Sequence, residues 1–112
     1  MTNIEDNKPL QELQGFQKKY LRGLAHDLKP VVIIGQHGLT DAVVNAIDGA
    51  LRDHELIKIK YNEFKEKNQK KEISQQIQLR TGCQYAGAIG HTTIFFRQNT
   101  TPGEQKIKLP QR

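Results

Sequence analysis

The chain has 112 residues and a mass of 12.8 kDa, which leaves room for one domain and not for two. Its 36% hydrophobic and 26% charged residues argue against a disordered chain, and its longest aliphatic run, Val31-Val32-Ile33-Ile34, falls far short of the roughly 18 apolar residues a membrane span needs. A balance of 17 Lys+Arg against 12 Asp+Glu gives +5 and a pI near 9.4, which points to polyanionic partners more than to any particular chemistry.

The charge is unevenly spread: residues 1–56 hold six basic and eight acidic side chains, residues 57–112 eleven and four, so a positive face is expected. Residues 1–9 form a polar leader without the charged and apolar regions of a signal peptide, and Cys83 is the single cysteine. Both features lead to the expectation of a cytoplasmic, reducing location.

In chain order, Leu10, Leu13, Tyr20, Leu21, Leu24 and Leu28 fall on one side of a helical wheel, which predicts an amphipathic helix over 10–28. Lys18, Arg22 and Lys29 fall on another side, and Pro30 ends the helix. Residues 31–34, filled by β-branched side chains with no polar alternate, read as a short strand buried on both faces. Gly35, Gln36, His37 and Gly38 follow at once. Thr40 then makes a good N-cap for a helix carrying Asp41 in its first turn and Val43, Val44, Ile47 and Leu51 as its apolar stripe. Residues 56–61 alternate, with Ile57, Ile59 and Tyr61 on one face and Lys58 and Lys60 on the other, as in a half-open sheet position.

A third, mostly solvated helix over 64–80 places Ile73, Ile77 and Arg80 on one face and stops at Thr81-Gly82. Residues 84–89 and 92–97 read as a hairpin about Gly90-His91, and 100–105 as a turn. The basic tail, 99–112, carries Ile107 and Leu109 and is expected either to dock along a sheet edge or to stay mobile. The order is αβαβαββ, an α/β sandwich occupying residues 10–98.

The four residues 35–38 carry the most chemistry, because a glycine-bounded turn between a strand and a helix lets backbone N–H groups approach a phosphate. A turn of this kind also uses glycine simply for positive φ. It is not the Walker loop, which needs GxxxxGK[ST], and the Rossmann fingerprint is absent. His26, His37, His54 and His91 lie far apart without HExxH or a cysteine pair, so no zinc site is expected. Cys83 beside Gly82 reads as a small packing residue, and no catalytic role is assigned to it. The aromatic residues, Tyr20, Tyr61, Tyr85, Phe16, Phe64, Phe95 and Phe96, could stack on bases, but their spacing favours core positions for most of them.

The run YLRGLAHDLKPVVIIGQHGLTDAVVNAIDGALRDHELIKIKY resembles the CRM (chloroplast RNA splicing and ribosome maturation) domain in its stand-alone bacterial form, the YhbY type. LRGLAH, LKPVV, GxxGLT and HELIK stand in the family's order and spacing, and the likeness extends from about residue 10 to 110, through Thr81-Gly82, the AIG turn, Arg97 and KIKLP. The resemblance implies a mixed four-stranded sheet with three helices, similar to the C-terminal domain of bacterial translation initiation factor three. It also implies binding of structured RNA and association with precursors of the large ribosomal subunit, while the missing nucleotide, metal and acid–base motifs leave no expectation of enzymatic activity, cofactor or metal. On this basis the GxxG loop maps onto Gly35, Gln36, His37 and Gly38, and the basic helix positions onto Lys18, Lys19, Arg22 and Lys29. Thr40, from the GLT after the loop, and Arg97, at the hairpin end, complete the expected RNA-binding set. Because Gln36 and His37 are not cationic lysine or arginine, the grip on phosphate must come from backbone amides, side-chain hydrogen bonds and neighbouring cations. A monomer contacting rRNA is expected, the alternative being an adaptor that docks on a ribosomal or assembly protein.

Overall fold

A computed structural model of the chain describes residues 12–62, 66–101 and 103–111. Helices α1 (Gly15–Ala25), α2 (Asp41–His54) and α3 (Lys67–Thr81) alternate with strands β1 (Val32–Ile34), β2 (Leu56–Tyr61), β3 (Gln84–Ile89) and β4 (Thr92–Phe96) in the expected order αβαβαββ. The sheet order is β1-β2-β4-β3. β1 and β2 are parallel, Val32 standing opposite Ile59, because α2 carries the chain back across the sheet between them. The other two pairings are antiparallel, and β3 returns to β4 through Gly90, whose φ of +59° suits a tight hairpin turn.

Alternation along β2 divides the core into two. Ile57, Ile59 and Tyr61 face α2 and α3, where they meet Ile47, Leu51 and Ile77; the Tyr61 hydroxyl and Ser74 Oγ lie 3.1 Å apart in that interior. Leu56 and, from β4, Ile94 and Phe96 face the other way, beneath Leu21 and Ala25 of α1 and Leu13 just before it. Thr40 caps α2 by accepting the Val43 amide at 3.2 Å, and Gly82 ends α3 in the left-handed conformation, φ +72°. Both caps fall where the sequence places them.

Two expectations need correction. The first helix is shorter than 10–28: Gln17 Oε1 accepts the Gln14 amide at its start, and at its end the His26 and Leu28 amides turn back to the carbonyls of Gly23 and Ala25. Its buried line is Leu21 and Ala25, while Tyr20, Leu24 and Leu28 are exposed and Lys29 lies beyond the helix altogether. Leu10 and Phe64 lie outside the described residues. β1 is buried on one face only, since Val31 and Ile33 are exposed and only Val32 and Ile34 enter the core. It is an edge strand, and α1 crosses β3, β4 and β2 rather than reaching over it.

The tail, for which the sequence leaves docking and mobility both open, is docked on the α1 side of the core. Ile107 and Leu109 close the α1 side of the core, and Gln17 Nε2 donates to the Pro110 carbonyl at 3.3 Å. The ordered unit therefore extends past residue 98.

Candidate nucleic-acid interface

The connection from β1 to α2 emerges at the end of the sheet where β2 finishes and β4 begins. The Asn62 amide donates to the Ile34 carbonyl at 2.9 Å, and the Tyr61 amide to the His91 carbonyl at 2.8 Å, so residues 35–38 and the Gly90-His91 turn share that end. Gly38 closes the loop: its φ is +68° and its amide donates to the Gly35 carbonyl at 3.0 Å. Gly35 differs, since its φ is not in the left-handed region and an added Cβ would meet no atom within 4 Å. The fold thus requires glycine at 38 and not at 35.

Amides in the loop divide in the same way. Those of Gly38, Thr40 and Val43 are bonded within the loop and cap, whereas the amides of Gln36 and His37 make no hydrogen bond among the described residues. The two exposed side chains touch each other, Gln36 Nε2 lying 3.4 Å from His37 Nε2. At the start of α2, Asp41 already offers a carboxylate to the helix dipole and is paired with Arg80 at 2.6 Å. The helix terminus is thus already supplied with a carboxylate, whereas the loop before it is not.

Of the expected basic residues, Lys19 and Lys29 are exposed, while Lys18 and Arg22 are half-buried against β3. Lys18 Nζ stands 5.7 Å from the Tyr85 ring centroid, within cation–π range, and Arg22 Nη1 donates to the Ala86 carbonyl at 3.4 Å. Gly87 makes room for the Arg22 stem, because a Cβ there would come within 2.7 Å of Arg22 Cδ. Lys18 thus lies toward the β3 end away from the loop and Arg22 midway along the strand, so the helix stripe does not converge on residues 35–38. Among the described residues the lysines toward the loop end are others: Lys60 opposite Ile33 and Thr92, and Lys70 donating to the Gly90 carbonyl at 3.0 Å, with Lys58 one row further in, donating to the His26 carbonyl at 3.2 Å.

Arg97 stands apart from this group. Its guanidinium donates to Asp48 Oδ1 at 2.6 Å, the Thr81 carbonyl at 2.7 Å and the Asp48 carbonyl at 3.1 Å, tying β4 to α2 and α3 at the opposite end of the sheet. The hydrogen bond from Arg97 holds the Asp48 carboxyl below its ordinary value, with the charges of Arg97 and Arg52 adding to this against the opposing effect of burial. Burial pushes the Cys83 thiol up to about 11, which leaves it an inert packing group.

Sequence reasoning missed Glu55. This side chain is fully buried, with one carboxylate oxygen accepting from the Lys106 and Ile107 amides at 2.7 and 2.8 Å and the other from Asn99 at 2.6 Å. Its position in HELIK was the available signal. Among the described residues no group of three or more His, Cys, Asp or Glu side chains could hold a metal ion, and no helix is long and apolar enough to cross a membrane.

Residues 13–97 match the CRS1/YhbY (CRM) domain family. The chain belongs to that family. A Haemophilus influenzae relative named as an RNA-binding protein is 40% identical over 96 residues, covering 86% of this chain and 93% of its own. The Bacillus subtilis protein YqeI, named as a probable RNA-binding protein, is 30% identical over 98 residues, covering 88% and 99%. The solution structure of a Staphylococcus aureus protein, described as a candidate RNA binder, superimposes with a TM-score of 0.74 at 32% identity, covering 88% of this CRM chain and 99% of that one. The mixed sheet and the three helices of this chain are the fold of that neighbour.

Proposed function

We propose that this CRM protein binds structured RNA without catalysing a reaction, that its target is rRNA of a large-subunit precursor, and that it assists ribosome assembly in the cytoplasm as a monomer. The observation that carries the reading is the pairing, at one sheet end, of two unengaged loop amides with nearby lysines, the combination a phosphate backbone needs. The names of the relatives support RNA as the class of partner. Gly35, Gln36, His37 and Gly38 contact the backbone, with Lys19 and Lys29 as exposed cations at a distance and Thr40 acting through the α2 cap. Arg22 and Lys18 contribute field rather than direct contact, because their side chains are already packed on β3.

The test is the double variant Gln36→Asp/His37→Asp. Both glycines stay in place, and stability is expected to change little, since carboxylates near a helix N-terminus are tolerated or favourable by roughly 0.3–1 kcal/mol. RNA affinity and co-sedimentation with large-subunit precursors are expected to fall sharply, and wild-type affinity to fall as salt rises. Wild-type binding in the variant, or a flat salt dependence, would contradict the reading.

One observation favours a second reading, an adaptor docked on a ribosomal or assembly protein: Tyr20, Leu24 and Leu28 form an exposed apolar line along and just beyond α1. Binding to protein-free rRNA fragments separates the two, because an adaptor shows none.

A further inference from the structure

Strand register assembles a surface that no segment of the sequence displays. Ile33, Lys60, Thr92 and Ile89 stand directly opposite one another on β1, β2, β4 and β3, forming one row across the whole sheet. All four point to the α1 side, because their neighbours Val32, Ile34, Ile59 and Tyr61 enter the α2/α3 core and opposed residues share a face. Yet α1 does not cover them: Ile33 is 55% and Ile89 64% exposed, and Lys60 is exposed.

Cover begins one row further in. There the Lys58 amine reaches the end of α1 at the His26 carbonyl, and the Arg22 stem rests on Gly87. The result is a strip with two exposed isoleucines and a lysine, bordered on one side by Lys58 and Arg22 and on the other by the sheet end that carries residues 35–38 and the Gly90-His91 turn.

We propose that this open strip is a second part of the RNA interface, across which a segment of RNA backbone lies from β1 to β3, its riboses and base edges on Ile33 and Ile89 and its phosphates at Lys60 and Lys58, with Arg22 adding only its field from the border. The inference rests on the RNA-binding reading and extends it from a loop to a sheet surface. Charge selects the occupant: among the described residues the strip and its border carry three cations and no carboxylate, which suits a polyanion and sets like charges against each other in a self-associated dimer. The row holds no aromatic ring, so bases do not stack on it, and recognition here follows backbone shape rather than sequence.

The experiment compares wild type with Lys60→Glu/Ile89→Glu, two exposed changes, and with Leu79→Glu, an exposed change on α3, using protein-free large-subunit rRNA fragments. The strip variant is expected to keep its unfolding midpoint and lose roughly tenfold or more in affinity, on the scale of losing phosphate contacts, while Leu79→Glu binds as wild type. In wild-type protein, RNA is expected to protect Lys58 and Lys60 from an amine-acetylating reagent while leaving Lys71 of α3 reactive; this decides the matter should the variant fold poorly.

Wild-type affinity in a folded strip variant, or unprotected Lys60 in the complex, overturns this inference alone. Loss of co-sedimentation with precursor particles while naked-RNA affinity persists also overturns it and assigns the strip to a protein. Wild type that binds no RNA overturns the functional reading and this inference together.

Discussion

The two ends of the sheet use charged residues in opposite ways. At the end where β4 finishes, Glu55 is buried on three backbone amides, Arg97 binds Asp48 and the Thr81 carbonyl, and the Lys106 amine donates to the Asp53 carbonyl. At the other end Gln36, His37 and Lys60 are exposed and, among the described residues, the loop leaves two amides unengaged. Charge turned inward holds the fold together, and polarity turned outward is available to a ligand. Changes at the first end should therefore appear as lost stability, and changes at the second as lost binding.

The largest effect is expected at Glu55. Glu55→Ala leaves the Asn99, Lys106 and Ile107 amides without their acceptor, at about 1–3 kcal/mol for each group that stays buried. A total of about 3 kcal/mol or more, a fall of roughly 10 °C or more in Tm, is the expected result of thermal unfolding. Proteolysis should then remove the tail first, since Ile107 and Leu109 lose their anchor. Glu55 also has φ +64°, a conformation that favours glycine, so Glu55→Gly should be about 1 kcal/mol less damaging than Glu55→Ala. An alanine variant as stable as wild type would mean that the tail contributes nothing to the core.

Arg97 sharpens the same contrast with a smaller effect. Arg97→Ala removes three hydrogen bonds, but Asp48 is 37% exposed and solvent-screened, so a loss of about 1–2 kcal/mol is expected at neutral pH. Because the folded-state pKa of Asp48 is lowered, the contribution of this pair is complete above the ordinary value of 3.8 and disappears as pH falls through the lower folded value. The gap between wild type and Arg97→Ala in urea unfolding should thus narrow below pH 4, an acid limit set by that shift. RNA affinity is expected to be unchanged at neutral pH; a selective loss of binding in the folded variant would bring Arg97 back among the contact residues.

Much of the inward-facing architecture is legible where a pattern has one solution. LIKIKY alternates in only one way, Val44, Ile47 and Leu51 define a single helix face, and Thr40 and Gly82 are caps by residue type. The first helix has apolar residues around more than one side, so a wheel that gathers Tyr20, Leu24 and Leu28 is as regular as the line Leu21 and Ala25 that the fold buries. In VVII no polar residue marks the open face of β1, and only its edge position exposes Ile33. Glu55 and Arg97 look like any surface charges because most of their partners lie more than forty residues away in sequence. The loop at 35–38 was visible as a motif, whereas the row Ile33, Lys60, Thr92, Ile89 exists only after the strands pair.

The smallest expected effect separates the two glycines of the loop. Gly38→Ala forces a side chain into φ +68° and should lower stability by about 1 kcal/mol. Gly35→Ala meets no atom within 4 Å and no left-handed backbone, so its stability should be unchanged or higher by up to about 1 kcal/mol through loss of unfolded-state entropy. Its added methyl group would nevertheless stand beside the Gln36 amide, where the RNA backbone is proposed to approach, and a few-fold loss of affinity is expected at constant fold. Thermal unfolding and RNA titration of both single variants read the two effects separately. If Gly35→Ala is stable and binds RNA as tightly as wild type, close approach at residue 35 is not needed. The loop would then act through Gln36 and His37 alone, with Gly38 retained for its turn.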